Sequence, residues 1–444
     1  MKKLLAHLTL VLALLSASAL AAEAETAPTL WPAYDPETGL WGYIDEQGTW
    51  RIEARYLHAF EFVNGYAQVR MSDDYTACGI IDATGVYIFQ PDYYINRGTI
   101  GFDGRTENDV YTIDRDGLSG WFDTESGYIS GLCWRYVESY DDSPYVLASL
   151  GRDMKTFVDR ATGKRLLPLM DMSSYGFYED VAVVRLGDEE RSVIVDLKGN
   201  VIELPEGLEA CDSYFSDGML LVENAEGLYG YVNTAGQLVI EPQYEQGEAF
   251  QGGYTVVTKD GENLLIDKEN RVIATGWFYV CGPWADGGIA VEGNNCWAVF
   301  NQDGTERFRV AVEPYEHAKG VITYPPLVEG GPWWVGYWYG GVGIDFGLMT
   351  ADGVWLVNAD DADHSFTLDN ESFSDDPMGW QAVWYDGKWG YIDGAGNTML
   401  PFIYEEAGHF EGALARVRFD EPTEGYINRA GETVYQWPSD RGTR

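Results

Sequence analysis

A phrase of about eight residues recurs eleven times along this chain at a period of roughly 38 residues, and no other property narrows the possible folds as far. Its clearest copies are Trp41-Gly42-Tyr43-Ile44-Asp45-Glu46-Gln47-Gly48, Tyr229-Gly230-Tyr231-Val232-Asn233-Thr234-Ala235-Gly236 and Trp389-Gly390-Tyr391-Ile392-Asp393-Gly394-Ala395-Gly396. Weaker copies keep the residue that leads a turn: Asp82, Asp123, Asp159, Asp196, Asp267, Asn301 and Asn428, with Thr350 as a substitute. A unit this small cannot bury its own apolar face, so tandem copies must cover one another. The repeat therefore predicts one array over residues 39–436, in place of the two or three compact domains that 444 residues would otherwise suggest.

Within a unit, Trp, Tyr, Ile and Val suit a first strand with a half-buried surface. The turn follows as Asp or Asn, two variable residues and Gly. The leading side chain accepts hydrogen bonds from the turn backbone, and the fourth position must be left-handed, which glycine adopts at least cost. Asp45 with Gly48, Asp82 with Gly85, Asp196 with Gly199, Asn233 with Gly236, Asp393 with Gly396 and Asn428 with Gly431 are assigned to such turns. These acids are read as turn-formers, not catalytic groups.

A second strand is expected to end at Pro242 or Pro401, since proline lacks the ladder N–H. Tyr56, Tyr93, Tyr244 and Tyr404 recur just after it and are read as packing between units. A third strand comes from phrases such as Phe62-Val63-Asn64-Gly65-Tyr66-Ala67-Gln68-Val69 and Phe410-Glu411-Gly412-Ala413-Leu414-Ala415-Arg416-Val417, and should pair with the first strand of the following unit. No stretch after the first residues sustains a 3.6-residue apolar stripe with caps. The fold class expected is all-β: a tandem array of about eleven three-stranded antiparallel repeats, in an open twisted superhelix or a propeller-like arrangement.

Outside the array, Met1-Lys2-Lys3, the apolar run to Leu20 and the Ala19-Leu20-Ala21 site have the form of a secretory signal over residues 1–22. Residues 23–38 read as a linker and 437–444 as a tail. The product is expected to be secreted or associated with the cell envelope, with no later membrane span. Seventy-one acidic against 29 basic residues, a net charge of −42, make nucleic acid an improbable partner, because that affinity rests on cations neutralising phosphates. Cys78, Cys133, Cys211, Cys281 and Cys296 are sparse and lack the close pairing of a zinc site. Cys281 and Cys296 are the one pair placed to join neighbouring strands, and buried thiols are the plainer reading.

The paired motifs Trp-Gly-Tyr-Ile-Asp-x-x-Gly and Phe-x-x-Gly-x-Ala-x-Val resemble those of the WG repeat family of bacterial exported proteins. The resemblance spans residues 39–436. It is strong near Trp41, Tyr229 and Trp389 and partial near Phe157, Leu264, Trp297 and Leu348, where the Trp-Gly pair is lost. It implies β-repeats that offer a binding or scaffolding surface, and it supplies no catalytic residues.

Two departures from the repeat are candidate sites. The longest interval, with its insertion at about 324–345, carries Trp333, Trp334, Tyr337, Trp338 and Tyr339. They are read either as a stacking platform for a sugar ring or protein partner, or as an extended hairpin packed on the next unit. The acidic run that follows offers Asp361, Asp363, Asp369 and Glu371 as oxygen ligands for calcium. The EF-hand pattern fails there, with Phe366 where glycine is needed and Ser372 in place of the bidentate Glu, and a solvated acidic loop is the plainer reading. No Gly-x-Ser-x-Gly elbow, phosphate loop or His-Glu-x-x-His helix is present, and His58, His317, His364 and His409 are scattered. The functional expectation is a binding or scaffold surface without catalysis or cofactor, for a protein at the envelope first and a glycan second. An unrecognised hydrolase is a third reading.

Overall fold

The computed structural model describes residues 29–73, 77–97, 109–140, 143–151, 154–187, 191–311, 320–338, 344–359, 366–368, 373, 376–419 and 423–439. Within them every regular element is a strand, apart from one 3-10 turn at Ala285–Gly287, and all strand pairing is antiparallel. The chain divides into two compact units, one ending at Tyr93 and one beginning at Tyr94.

In the first unit, Trp31–Asp35, Leu40–Ile44 and Trp50–Tyr56 form one sheet, and His58–Ala59, Tyr66–Arg70 and Cys78–Asp82 belong to the next. Trp31–Asp35 falls in the stretch expected to be a linker. It is a strand because Trp31 and Ala33 alternate into the core opposite Ile44 and Gly42.

The second unit repeats a single plan. Met172–Ser173, Val181–Leu186, Arg191–Asp196 and Val201–Glu203 form a four-stranded sheet, followed by Leu208–Ala210, Met219–Asn224, Tyr229–Asn233 and Leu238–Tyr244 in a second. Three more such sheets cover residues 246–275, 279–311 and 406–438. In each, the strand after the aromatic–glycine bend pairs with the Trp-Gly-type strand that follows it, as Met219 pairs with Asn233 and Leu414 with Asn428. Each of these five sheets thus carries four strands, one more than expected, whereas Tyr136–Glu138, Tyr145–Gly151 and Met154–Asp159 form a three-stranded sheet. The extra one is as short as two residues, for example Gln246–Gly247, too short to show alternation in sequence. Residues 320–404 depart from this plan: Trp355–Val357 and Phe366–Leu368 both pair with Ile344–Met349 inside one larger sheet.

The core lies between successive sheets. Leu220 and Val222 face Val183 and Ile194 of the preceding sheet, whereas Met219 and Leu221 join Phe250, Val257 and Ile266 of the following one. Both faces are buried, which is why the central strands read as continuous apolar runs and not as alternation. Recurrent polar ties accompany this packing. The hydroxyls of Tyr43, Tyr231 and Tyr391, all buried, donate to Phe60 O, Glu248 O and Gly408 O at 2.9, 2.7 and 2.8 Å, each seventeen residues on. Tyr56, Tyr244 and Tyr404 also enter cores shared with the next sheet.

Proline does not end the second strand. Leu238–Tyr244 runs through Pro242 and Thr398–Tyr404 through Pro401, because the pairing register shifts there and the bulge leaves no ladder donor to be supplied. The same bulge explains the glycine of the Trp-Gly pair. A Cβ on Gly230 would lie 2.7 Å from Pro242 N and closer still to the Ile240 carbonyl, and one on Gly42 would meet Ala54 N at 2.7 Å.

Candidate functional site

The turn residues act as the sequence suggests. Asp82 Oδ1 accepts N–H bonds from Thr84 and Val86 at 2.9 and 3.0 Å, and Asn233 Oδ1 does the same for Ala235 and Gln237 at 3.0 and 2.9 Å. Asp45, Asp196, Asp393 and Asn428 repeat the pattern. Gly48, Gly85, Gly199, Gly236, Gly396 and Gly431 all have φ between +72° and +86°, and Asn270 takes the same place at +63°. Burial disfavours the charge of Asp82 and Asp393, yet side-chain and backbone donors outweigh it and hold both below the usual carboxylate value.

The described aromatic side chains of the insertion are core. Trp333–Trp338 is the middle strand of a hairpin system, with Trp333 7% exposed, Trp334 0% and Tyr337 1%. Trp333 and Tyr337 face the sheet of residues 279–311, where Trp333 stacks on Trp284 at 4.6 Å and Trp297 Nε1 donates to Tyr337 Oη at 3.2 Å. Trp334 points the opposite way, among Phe346, Leu348 and Phe366. These three are therefore not an exposed stacking platform; a period-2 strand buried on both faces hides every aromatic it carries. The Trp338 side chain and all of Tyr339 lie outside the described residues.

Asp361, Asp363, Asp369 and Glu371 also lie outside the described residues. Among the described residues, no group of three or more His, Cys, Asp or Glu is placed to hold a metal ion, and no helix is long and apolar enough to cross a membrane. All five cysteines are free thiols, Cys78 and Cys281 buried. His409 is buried in strand Glu406–Glu411, and His58 Nε2 lies 3.5 Å from Asp73 Oδ1; His317 and His364 fall outside the described residues.

The structure instead gathers residues that no motif marked. Between the sheet of Tyr136–Glu138, Tyr145–Gly151 and Met154–Asp159 and the sheet beginning at Met172–Ser173 lies a cavity of about 300 Å³. Leu147 and Val183 form its apolar part, and Glu138, Tyr140, Lys155, Ser173, Ser174, Arg185 and Ser213 its polar part. Register sets several of these: Lys155 sits opposite Ser149, Arg185 opposite Ser173 and Glu138 opposite Leu147.

Both oxygens of Glu138 are engaged. Tyr136 Oη donates to Oε1 at 2.8 Å and Tyr140 Oη to Oε2 at 2.6 Å. Tyr140 is further fixed by Ser174 O at 3.1 Å and by Gly176, at φ +92°, whose added Cβ would lie 2.8 Å from the Tyr140 ring. The hydrogen bond to Glu138, with lesser burial, pushes the Tyr136 phenol up to about 12; burial, then the same carboxylate, raises that of Tyr140. Both phenols stay protonated and donating at neutral pH. Lys155 and Arg185, in contrast, make no ion pair and no side-chain hydrogen bond with any described residue.

One exposed tyrosine lines the opening and others lie close to its lining residues in sequence or by contact. Tyr175 lines it and is 61% exposed, Tyr136 is 54% exposed, and Tyr214, adjacent to Ser213, is 50% exposed with its ring 5.3 Å from that of Tyr178. The Tyr178 hairpin is held by Glu179 and Asp180 with φ of +52° and +66°, and Glu179 Oε2 accepts the Gly218 N–H of the next unit at 2.6 Å. Two successive left-handed residues without glycine are costly, about 1–2 kcal/mol each.

Solved structures similar to this chain include a eukaryotic initiation factor, at 10% identity over 74% of this chain and 94% of that one with a TM-score of 0.38. BamB from Moraxella catarrhalis matches at 11% identity over 67% and 94% with a TM-score of 0.27, and the computationally designed Ika8 protein at 12% over 65% and 97% with a TM-score of 0.25. No curated protein sequence matches the chain. The WG containing repeat matches residues 41–75, 229–262 and 389–421, each match beginning on the aromatic–glycine pair that sits over a bulge and running into the next sheet. These three stretches match the WG containing repeat, and the protein is an all-β repeat protein.

Proposed function

We propose that this repeat protein is an exported, non-enzymatic binding protein that engages a protein partner at the cell envelope through the tyrosine-rich face around the Glu138–Arg185 cavity. The observation that carries the reading is a set of exposed tyrosines at one polar opening: Tyr175 in its lining, Tyr136 bonded to Glu138 of the lining, and Tyr214, next to Ser213, paired with Tyr178. Tyrosine supplies a large, rigid contact area with a polar tip and is enriched at interface centres. Export is supported by the signal-like residues 1–22. A binding role is supported by the Glu138 carboxylate, whose two oxygens are already bonded to tyrosine hydroxyls.

Recovery of envelope proteins on the immobilised protein tests this. Wild type and Tyr279→Ala, an exposed tyrosine elsewhere, should retain the same partner, while the Tyr175→Ala/Tyr214→Ala pair should lose it by roughly thirtyfold, the effect of about 2 kcal/mol at a hot spot. Equal recovery by the double variant would rule the proposal out.

A further inference from the structure

We infer that the cavity is a receptor for a single carboxylate group of a polypeptide, whether an Asp or Glu side chain or a chain terminus. This rests on the reading of the surrounding face as a protein-binding site and names the group that enters it.

The charges in the cavity are unbalanced in an instructive way. A carboxylate lies among two cations, yet Glu138 is bonded to the hydroxyls of Tyr136 and Tyr140, and Lys155 and Arg185 form no ion pair with a described residue. In a chain with only 29 basic residues against 71 acidic ones, a cation normally finds a carboxylate nearby. Arg160, a short way along, is close to Asp109, Asp123 and Glu125 at once. Two cations that no described residue pairs, both half-buried on the wall of one polar cavity, are complementary to an anion supplied from outside. The hydroxyls of Ser173 and Ser213 line the same space and offer donors to it.

Size and field select the anion. A volume of about 300 Å³ suits one or two residues. The net charge of −42 disfavours long polyanions, but screening over about 8 Å at physiological ionic strength leaves the two adjacent cations to dominate a single small group. The planar fork of Arg185 matches the two oxygens of a carboxylate, and the flanking tyrosines cover the peptide that carries it.

Calorimetric titration of the full chain with four probes tests the assignment: N-acetyl-dialanine, its C-terminal amide, N-acetyl-aspartic acid α-amide and inorganic phosphate. The first and third should bind, the amide at least tenfold more weakly, and whichever carboxylate binds tighter identifies the source. Arg185→Gln and Lys155→Met should each weaken the carboxylate probes about tenfold, with Arg185→Lys recovering part of the loss. Glu138→Gln, which removes the like charge and leaves an amide for Tyr136 and Tyr140, should tighten them. Equal binding of acid and amide, tighter binding of phosphate, indifference to Arg185→Gln, or no binding of any probe would each overturn the inference. The amide comparison needs no variant, so it holds even if a substitution disturbs folding. If the envelope partner is lost with Tyr175→Ala/Tyr214→Ala but kept with Lys155→Met/Arg185→Gln, the binding face stands and the carboxylate receptor falls.

Discussion

The glycine of the aromatic–glycine pair offers the sharpest test of the packing. Gly230 has an ordinary φ, so alanine there meets no backbone penalty and gains about 0.5–1 kcal/mol from its lower flexibility in the unfolded chain. Against this, the added Cβ would lie 2.7 Å from Pro242 N and 3.0 Å from the Glu241 carbonyl carbon, atoms of a bulged backbone that cannot rotate aside. Overpacking of this kind costs roughly 1–3 kcal/mol, and parting the bulge also weakens the pairing of Tyr229 with Tyr244. A net destabilisation of about 2 kcal/mol is expected for Gly230→Ala. Gly131→Ala is the control: its Cβ would meet nothing within 4 Å, and its φ is also ordinary, so the change should be neutral or slightly stabilising. Stacked repeats open locally, so hydrogen exchange read by mass spectrometry is a better assay than a single melting point. Peptides over residues 219–244 should exchange roughly thirtyfold faster in Gly230→Ala, and those over residues 423–438 at the wild-type rate. Wild-type protection over residues 229–244 in that variant would refute the close approach.

Three further outcomes follow from the same geometry. Tyr231→Phe removes one of the two donors to Glu248 O, the Thr255 hydroxyl remaining at 2.8 Å, and should cost about 0.5–1.5 kcal/mol, seen as faster exchange at the start of the sheet of residues 246–275 and not in that of residues 172–203. The lowered pKa values of Asp82 and Asp393 mean that their contribution is complete above the unfolded value of 3.8 and is lost as pH falls from there through the lower folded values. Asp82→Asn/Asp393→Asn should keep the turns, as Asn233 does, so any deficit against wild type in the urea midpoint at pH 7 should shrink or reverse at pH 3; a constant deficit would show that the two carboxylates do not titrate as described. Trp334→Ala should lower stability by about 3–5 kcal/mol and Trp333→Ala by a comparable amount, both measured by denaturant unfolding, because these side chains fill cores. Near-wild-type stability would place them at the surface instead.

The turns are legible in the sequence because one physical demand, a left-handed fourth residue after an acceptor side chain, leaves Asp or Asn and Gly at fixed spacing. Asn270 shows the demand met by another residue and hidden for that reason. The bulge over Gly230 was not legible, since a proline inside a strand reads as its end unless the register shift is known. The short strands, such as Met172–Ser173 and His58–Ala59, hold too few residues for any period to appear. Trp333 and Trp334 left two readings open because clustered aromatics look the same whether a strand is covered on both faces or on neither, and the packed hairpin is the one observed. The cavity is invisible for a different reason: Glu138, Lys155, Arg185 and Ser213 come from different strands and loops and meet only through cross-strand register and the stacking of successive sheets.

That stacking is the claim on which the rest depends, and neighbouring leucines report it directly. With methyl-labelled protein, nuclear Overhauser contacts from Leu220 should lead to Val183 and Ile194 of the preceding sheet, and those from Leu221 to Val257 and Ile266 of the following one. Contacts from both leucines to the same sheet, or from either to solvent alone, would contradict a core formed between consecutive repeats.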